Sequence, residues 1–460
     1  MNESNFDMNK VLNRERIDYV LFHLFQNCQF DHKLNDCISF GNKEEGLQNP
    51  QIVFPLSDTQ FSIQKILTID NIPVLFPVSN NETFFRFEDG NLYFEHDLLK
   101  SSFYLLSGYQ EYNSSEKDIL GRFPYKKSIQ EQLGIIEKPV VNYYFEIILN
   151  AIEQFCNINQ LSFKRTYFFE NFGFLLTHDV DKIDKYNFSD AVFKLKQILK
   201  LSPTQVPYKR MFRANSKYLL RYFNPIYRKN DFWNFDELIE IEHALGIKSA
   251  WYFLENDSPV DSYYQFDESR IQHLISNLEK NGHEVGIHGV VRSAYDVQAM
   301  KKGLIALNKY TRNKVVGGRQ HRLMFHLPLT HLIHEQVGLK YDSTLGFAAH
   351  EGFRNSYCLP FKLYDFESER IIDVWEFPLI VMDGTLFSYR KLNNTEALVQ
   401  VKKLLSEVLK FHGLFTLLWH NSFFDNDIYP DITIFYNQVL RYIVAQSPNV
   451  VLGKDLIKTI

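Results

Sequence analysis

Only four cysteines, Cys28, Cys37, Cys156 and Cys358, occur in 460 residues. That is too few for a disulfide framework. Cys28 and Cys37 lie near His23 and His32, but H-x4-C-x3-H-x4-C is not the spacing of a zinc module. Long hydrophobic runs are absent too. The strongest candidate, Ile371 to Val381, is broken by Asp373, Glu376 and Pro378, so no segment reads as a membrane span. Positive charge is not in excess: the net charge of −5 excludes the basic footprint of a general nucleic-acid binder. Met1 to Asn27 carries charges throughout and has no apolar core of signal-peptide type, so a cytoplasmic location is expected. Tryptophan is scarce, with 4 residues against 41 Phe and 26 Tyr. Most of these aromatics are expected in the core, with Trp419 and some tyrosines available to stack on a sugar.

What is present is a globular composition, 45% hydrophobic and 23% charged. The length exceeds one typical domain. The chain divides near residue 165, into a smaller N-terminal α/β accessory domain (1–164) and a larger unit (165–460). The first part mixes short extended segments, such as Ile72 to Pro77, with a helical pattern from Pro139 to Phe155. It carries no catalytic constellation. The second part alternates strands and helices. Strands are expected at Gly173–Thr177, Ser249–Leu254, Glu284–His288, Val315–Gly318, Ile372–Glu376, Phe415–Leu418 and Val450–Leu452. Helices are expected at Phe235–Leu245, Asp267–Lys280, Val297–Tyr310, Thr395–Lys410 and Ile432–Ala445. Roughly seven such units predict a deformed (β/α)7-type barrel, with its chemistry at the C-terminal strand ends.

Polar residues stand at those ends: His178, Asp179 and Asp181; His288; Arg319, Gln320 and His321; Glu376; and His420 with Asn421. Gathered at one barrel mouth, carboxylates and imidazoles suit metal-assisted hydrolysis.

These motifs give the second part a resemblance to the polysaccharide deacetylases of the nodulation-protein (NodB) type, carbohydrate esterase family four. Thr177-His178-Asp179-Val180-Asp181 resembles the D-x-D form of the first motif. Gly282-His283-Glu284-Val285-Gly286-Ile287-His288 is similar to the second. Arg319 resembles the arginine of the third, and Leu418-Trp419-His420 the L-x-H of the fifth. Tyr341-Asp342-Ser343 resembles a further Y-D-S segment. The likeness spans about residues 168–455. Asn91 to Ile152 resembles an uncharacterised N-terminal domain attached to bacterial proteins of this branch.

The resemblance implies that Asp179 is the general base and His420 the general acid. It also implies that Arg319 holds the base and that Asp181 and His288 bind a divalent metal, Zn²⁺ in first place. It implies N-deacetylation of an acetamido sugar, and the expected cytoplasmic location points to one that is nucleotide-linked, lipid-linked or oligomeric. Hydrolysis of another non-peptide C–N bond, or an inactive glycan-binding homologue, are the alternatives. The family's second motif usually carries another histidine four residues on; Arg292 stands there. His321 is the candidate replacement ligand, with His178 the alternative. Glu376 or Asp383 is expected to tune His420.

A basic segment follows the first barrel helix. Lys209, Arg210, Arg213, Lys217, Arg221, Arg228 and Lys229 interleave with Phe212, Tyr218, Tyr222, Phe223 and Tyr227. It reads either as a solvated amphipathic helix capping the barrel, or as an anion site for a sugar nucleotide, a lipid pyrophosphate or an anionic membrane.

Overall fold

The structure is a computed structural model and describes residues 12–41, 50–202, 207–224, 226, 228–255, 257–258 and 261–460. Tyr227 of the basic segment and residues 1–11 lie outside the described residues. Among the described residues, no helix is long and apolar enough to cross a membrane.

The larger unit is built on a ten-stranded curled sheet. From edge to edge its order is Phe361–Asp365, Arg370–Glu376, Tyr341–Asp342, Gly317–Gln320, Glu284–Gly289, Ser249–Leu254, Gly173–Val180, Leu414–Leu418 and Leu379–Met382, with Asn449–Val450 added beside Gly173–Val180. All pairings are parallel except that of Phe361–Asp365 with Arg370–Glu376. The two edge strands do not pair, so the barrel is deformed and open. Parallel strands are covered on both faces, which is why Ser249-Ala250-Trp251-Tyr252-Phe253-Leu254 is a continuous buried run.

Period-two alternation then sorts the side chains of Gly173–Val180. Phe174, Leu176 and Val180 pack outward among the helices with Trp251 and Phe253. Leu175 faces inward with Tyr252 and Tyr341. Thr177 and Asp179 follow Leu175 on the inner face. Gly318 lets the Gly317–Gln320 strand close on its neighbour, since a Cβ there would lie 1.8 Å from the Ile287 carbonyl oxygen. This close approach puts Arg319 in register with His288.

The expected helices form with small shifts, for example Ser269–Lys280 and Asn394–Lys410. The strand expected at Val315–Gly318 instead runs Gly317–Gln320, two residues later. Leu379–Met382 and Phe361–Asp365 were not foreseen. Pro378 and Pro360 precede them and mask short apolar strands as loop.

The N-terminal part holds a four-stranded sheet, ordered Ile38–Phe40, Ile52–Phe54, Asn91–Phe94 and Phe85–Glu88, packed by Arg14–Phe25, Leu98–Leu106 and Val140–Ile158. Its core does not stop at the sequence boundary. Tyr357, Phe361, Leu363, Tyr364 and Phe366 of the larger unit are buried in it. Buried polar contacts join the two parts as well: Arg354 pairs with Glu111 at 2.6 Å, and Gln130 donates to the Arg354 carbonyl at 2.7 Å. The N-terminal part therefore covers the antiparallel edge of the barrel sheet, which protects an otherwise open strand.

Candidate metal centre and catalytic site

Six of the residues singled out in the sequence converge at the C-terminal mouth: Asp179, Asp181, His288, Arg319, His321 and His420. Arg319 is almost fully buried. Its Nη1 donates to Asp179 Oδ1 at 2.9 Å and Thr177 Oγ1 at 3.0 Å. Its Nε donates to the Ser343 carbonyl at 2.6 Å, and its Nη2 to Ser343 Oγ at 3.0 Å. The guanidinium fork thus has little freedom, and Asp179 is fixed through one oxygen. Asp179 Oδ2 is left toward the mouth, 3.6 Å from His288 Nε2 and 4.0 Å from His420 Nε2.

The two histidines beside Asp181 are oriented by their other ring nitrogens. His288 Nδ1 lies 2.9 Å from the Arg319 carbonyl, which can only accept, so in the neutral ring Nδ1 carries the proton and Nε2 presents a lone pair. His321 Nδ1 donates to Asp261 Oδ1 at 3.1 Å and likewise frees Nε2. These Nε2 atoms lie 3.2 Å and 3.8 Å from Asp181 oxygens. One donor atom from each of Asp181, His288 and His321 falls within 4.8 Å of the others. Asp181 Oδ1 is buried with no hydrogen-bond donor. An orphaned carboxylate oxygen facing two imidazole lone pairs fits a divalent cation with mixed N/O donors. Carboxylate or carbonyl partners behind each imidazole are the usual support for such a site. Burial alone raises the Asp181 carboxyl, but His321, His288 and His420 hold it well below the usual carboxylate range. Burial pulls the His288 imidazole down, and Asp179 and Asp181 together outweigh that pull.

His420 faces the same space from another strand end. Leu379–Met382 and Leu414–Leu418 are parallel neighbours with Met382 opposite Leu418, so Asp383 emerges beside His420. His420 Nδ1 donates to Asp383 Oδ1 at 2.7 Å, and its backbone N–H donates to Oδ2 at 2.6 Å. Burial lowers the imidazole pKa, but Asp383, then Asp181 and Asp179, carry it up to about 10. Nε2–H therefore points toward the mouth as a proton donor.

Some expectations are corrected. Glu376 does not reach His420. It accepts from Leu345 N at 2.7 Å and lies 3.1 Å from His331 Nε2, because its strand end adjoins Asp342 rather than the His420 side of the sheet. His178, on the outer face of its strand, is a satisfied core histidine: it stacks on Trp251 and lies 2.9 Å from Glu242 Oε1. Arg292 is half exposed and pairs with Asp257. Trp419 is fully buried among Phe387, Phe435 and Tyr436, so it is core and offers no face to a sugar. In the basic segment, Lys217 and Arg221 are engaged by Asp427, some two hundred residues away in sequence, while Lys209, Arg210 and Arg213 are exposed.

The mouth opens into a cleft of about 490 Å³ lined by Asp179, Asp181, His321, Met382, Tyr389 and His420, and also by Leu120 and Arg122 of the N-terminal part. Arg122 Nη1 donates to the Arg322 carbonyl at 2.7 Å. Arg322 and Leu323 both have positive φ, +59° and +53°, a costly turn for such side chains that re-aims the chain just after His321. Sequence reasoning missed Asp261 and Arg122. Each lies far from its partner in the chain, and neither carries a local signal.

Residues 8–157 match a family of unknown function, DUF7033. No curated protein matches the chain. Similar solved structures include a probable polysaccharide deacetylase from Pseudomonas aeruginosa PAO1. It is 13% identical with a TM-score of 0.41, covering 63% of this chain and 90% of that one. A Puue allantoinase is 11% identical with a TM-score of 0.43, covering 63% and 90%. A CE4 family pseudoenzyme from Bacillus anthracis is 9% identical with a TM-score of 0.30, covering 49% and 61%. At such scores the function has to be argued from the site's own geometry.

Proposed function

We propose that this protein is a metal-dependent hydrolase that removes the N-acetyl group of an acetamido sugar. The observation that carries this reading is the opposition, across one mouth, of an Arg319-anchored carboxylate and an Asp383-anchored imidazole, with the Asp181, His288 and His321 donors between them. It agrees with the roles that the deacetylase-like motifs imply for these residues.

Asp181, His288 and His321 would hold the cation. Once bound, it supplies Lewis acidity at the acetamide carbonyl and makes water acidic enough to ionise near neutral pH. Asp179 Oδ2 accepts the proton of the water that attacks the carbonyl carbon. Arg319 holds Asp179 still, so that one oxygen alone is presented. When the C–N bond breaks, His420 Nε2–H gives its proton to the departing sugar nitrogen, and acetate and free amine result. Asp383 stabilises the imidazolium before transfer and fixes its ring. Leu120 and Arg122 place the N-terminal part at the rim, where it bounds the substrate.

The test is acetate release from oligomeric, nucleotide-linked and lipid-linked acetamido sugars by the full chain. Activity is expected to disappear on dialysis against a chelator and to return with Zn²⁺. Absence of chelator-sensitive acetate release from all three substrate classes would overturn the reading.

A further inference from the structure

A second cluster of donors lies behind the mouth and takes no part in the chemistry above. His331 and His334 are three residues apart on one face of the Leu329–Val337 helix. They meet Asp342 and Glu376 at two adjacent strand ends. All four residues are buried. His331 Nε2 is 3.1 Å from Glu376 Oε2 and 3.5 Å from Asp342 Oδ2, and His334 Nδ1 is 4.0 Å from Asp342 Oδ1. One donor atom from each of His331, His334 and Asp342 falls within 4.8 Å of the others.

The outward atoms of the cluster are held, and two of the inward ones are not. Thr344 Oγ1 donates to Asp342 Oδ1 at 2.8 Å, and Leu345 N donates to Glu376 Oε1 at 2.7 Å. His334 Nε2 lies 2.7 Å from the Gln320 amide. Ser293 Oγ is 2.7 Å from the Val290 carbonyl and 2.9 Å from Gln320 Oε1, yet its single proton can serve only one of them. Turning the Gln320 amide end for end lets Ser293 accept from it and lets the amide oxygen accept from His334 Nε2–H. His334 Nδ1 then presents a lone pair inward. His334 Nδ1 and Asp342 Oδ2 are both buried without a hydrogen-bond partner.

We infer that His331, His334 and Asp342, with Glu376 as a fourth donor, form a second divalent-cation site of structural type. Two imidazoles and two carboxylates suit Zn²⁺ or a similar first-row ion. Asp342 leads directly into Ser343, whose carbonyl and hydroxyl both hold Arg319, so the site braces the arginine that fixes Asp179. The inference stands whether or not the mouth is a deacetylase.

Metal counting on Zn²⁺-loaded, desalted full-length protein tests it. The Asp181→Ala/His288→Ala variant, which disables the mouth, is expected to keep one equivalent through chelator dialysis. Adding His334→Gln is expected to remove it. With Co²⁺ in place of Zn²⁺, the double variant should keep a ligand-field spectrum that the triple variant loses. A double variant without retained metal, or a triple variant that still holds it, overturns the site. If the triple variant does not fold, the metal content of the double variant decides alone.

A separate surface carries a second inference. Phe188–Ile198 and Tyr208–Phe223 form a helical pair that rises from the chain just after Asp181. Tyr208–Phe223 buries Met211, Ala214, Asn215 and Tyr218, yet it repeats apolar residues at helical spacing on another face. Phe212 is 46% exposed, Leu220 73% and Phe223 79%. On the partner helix Phe188 is 73% exposed, and Leu199 just beyond it 58%. Ten of the 23 exposed large hydrophobic residues among the described residues fall between 188 and 226, far more than scattering produces. Ten Lys or Arg and one acid occupy 188–229. Lys196, Lys200, Lys209, Arg210 and Arg213 are exposed beside the apolar stripe.

We propose that this pair lies on an anionic bilayer surface, its aromatic stripe in the headgroup region and its lysines and arginines among the lipid phosphates. Cosedimentation of the full chain with phosphatidylcholine vesicles, with and without phosphatidylglycerol, is the test. Binding is expected only with the anionic lipid at low salt, and should weaken at high salt. Lys209→Glu/Arg210→Glu/Arg213→Glu should reduce it about a hundredfold or more. No binding to the anionic vesicles, or binding unchanged in the triple variant, overturns the proposal.

Discussion

Asp179→Asn is expected to lower acetate release by about 10²–10⁴-fold, the usual worth of a positioned general base. The metal content of the protein should stay unchanged. The substitution keeps the side chain's shape and removes the proton acceptor, while the rings of His288 and His321 are oriented by the Arg319 carbonyl and Asp261. Arg319 Nη1 can still donate to the amide oxygen that replaces Oδ1, so the local fold should survive. The measurement is turnover and metal content on the same sample. Near-normal turnover with normal metal would remove Asp179 from the role of base. Loss of metal along with activity would instead make it a ligand.

Arg319→Leu should produce the largest loss of stability at this site, about 3–5 kcal/mol. The reason is asymmetric. In the native protein the buried guanidinium is met by Asp179, Thr177 and both polar groups of Ser343. Without it, a carboxylate almost fully buried at the barrel mouth has lost its cation. Denaturant unfolding of Arg319→Leu, Asp179→Asn and the double variant forms a cycle that isolates the pair. The double variant should be more stable than Arg319→Leu alone, because the uncompensated charge has gone. A cost below about 1 kcal/mol for Arg319→Leu would mean that water reaches Asp179 and that the pair contributes little.

Much of this site could be read from the chain because it is assembled from strand ends. A buried parallel strand announces itself as an apolar run, and the first polar residues after it must lie at the mouth. That logic found Asp179, Asp181, His288, Arg319 and His420. It also kept His178 in view as the alternative ligand, and strand alternation disposes of it by turning its ring outward against Trp251. His321 was legible because its strand ends beside it, although the strand starts two residues later than its apolar pattern suggests.

Where the reading failed, the missing information was long-range. Glu376 ends a strand just as the residues gathered at the mouth do, but its strand lies next to Tyr341–Asp342 and delivers it to His331. Trp419 directly precedes His420 and was available for a sugar, yet alternation turns it into the helix layer. The run from Lys209 to Lys229 reads as a solvated helix or an anion site, but Asp427, from another part of the chain, engages Lys217 and Arg221.

From the chain alone came the α/β alternation, the barrel class, the strand-end donors and the basic, aromatic segment after the first barrel helix. These are local properties, set by side-chain periodicity and by which residues follow an apolar run. Strand order, and everything that strand order pairs, belonged to the tertiary structure. It put Asp383 behind His420, Asp261 behind His321, and the N-terminal Arg122 at the rim of the cleft. It also brought Glu376 to the His331–His334–Asp342 cluster. Each of these contacts joins residues tens to hundreds of positions apart, and no periodicity along a single chain encodes which strand becomes whose neighbour.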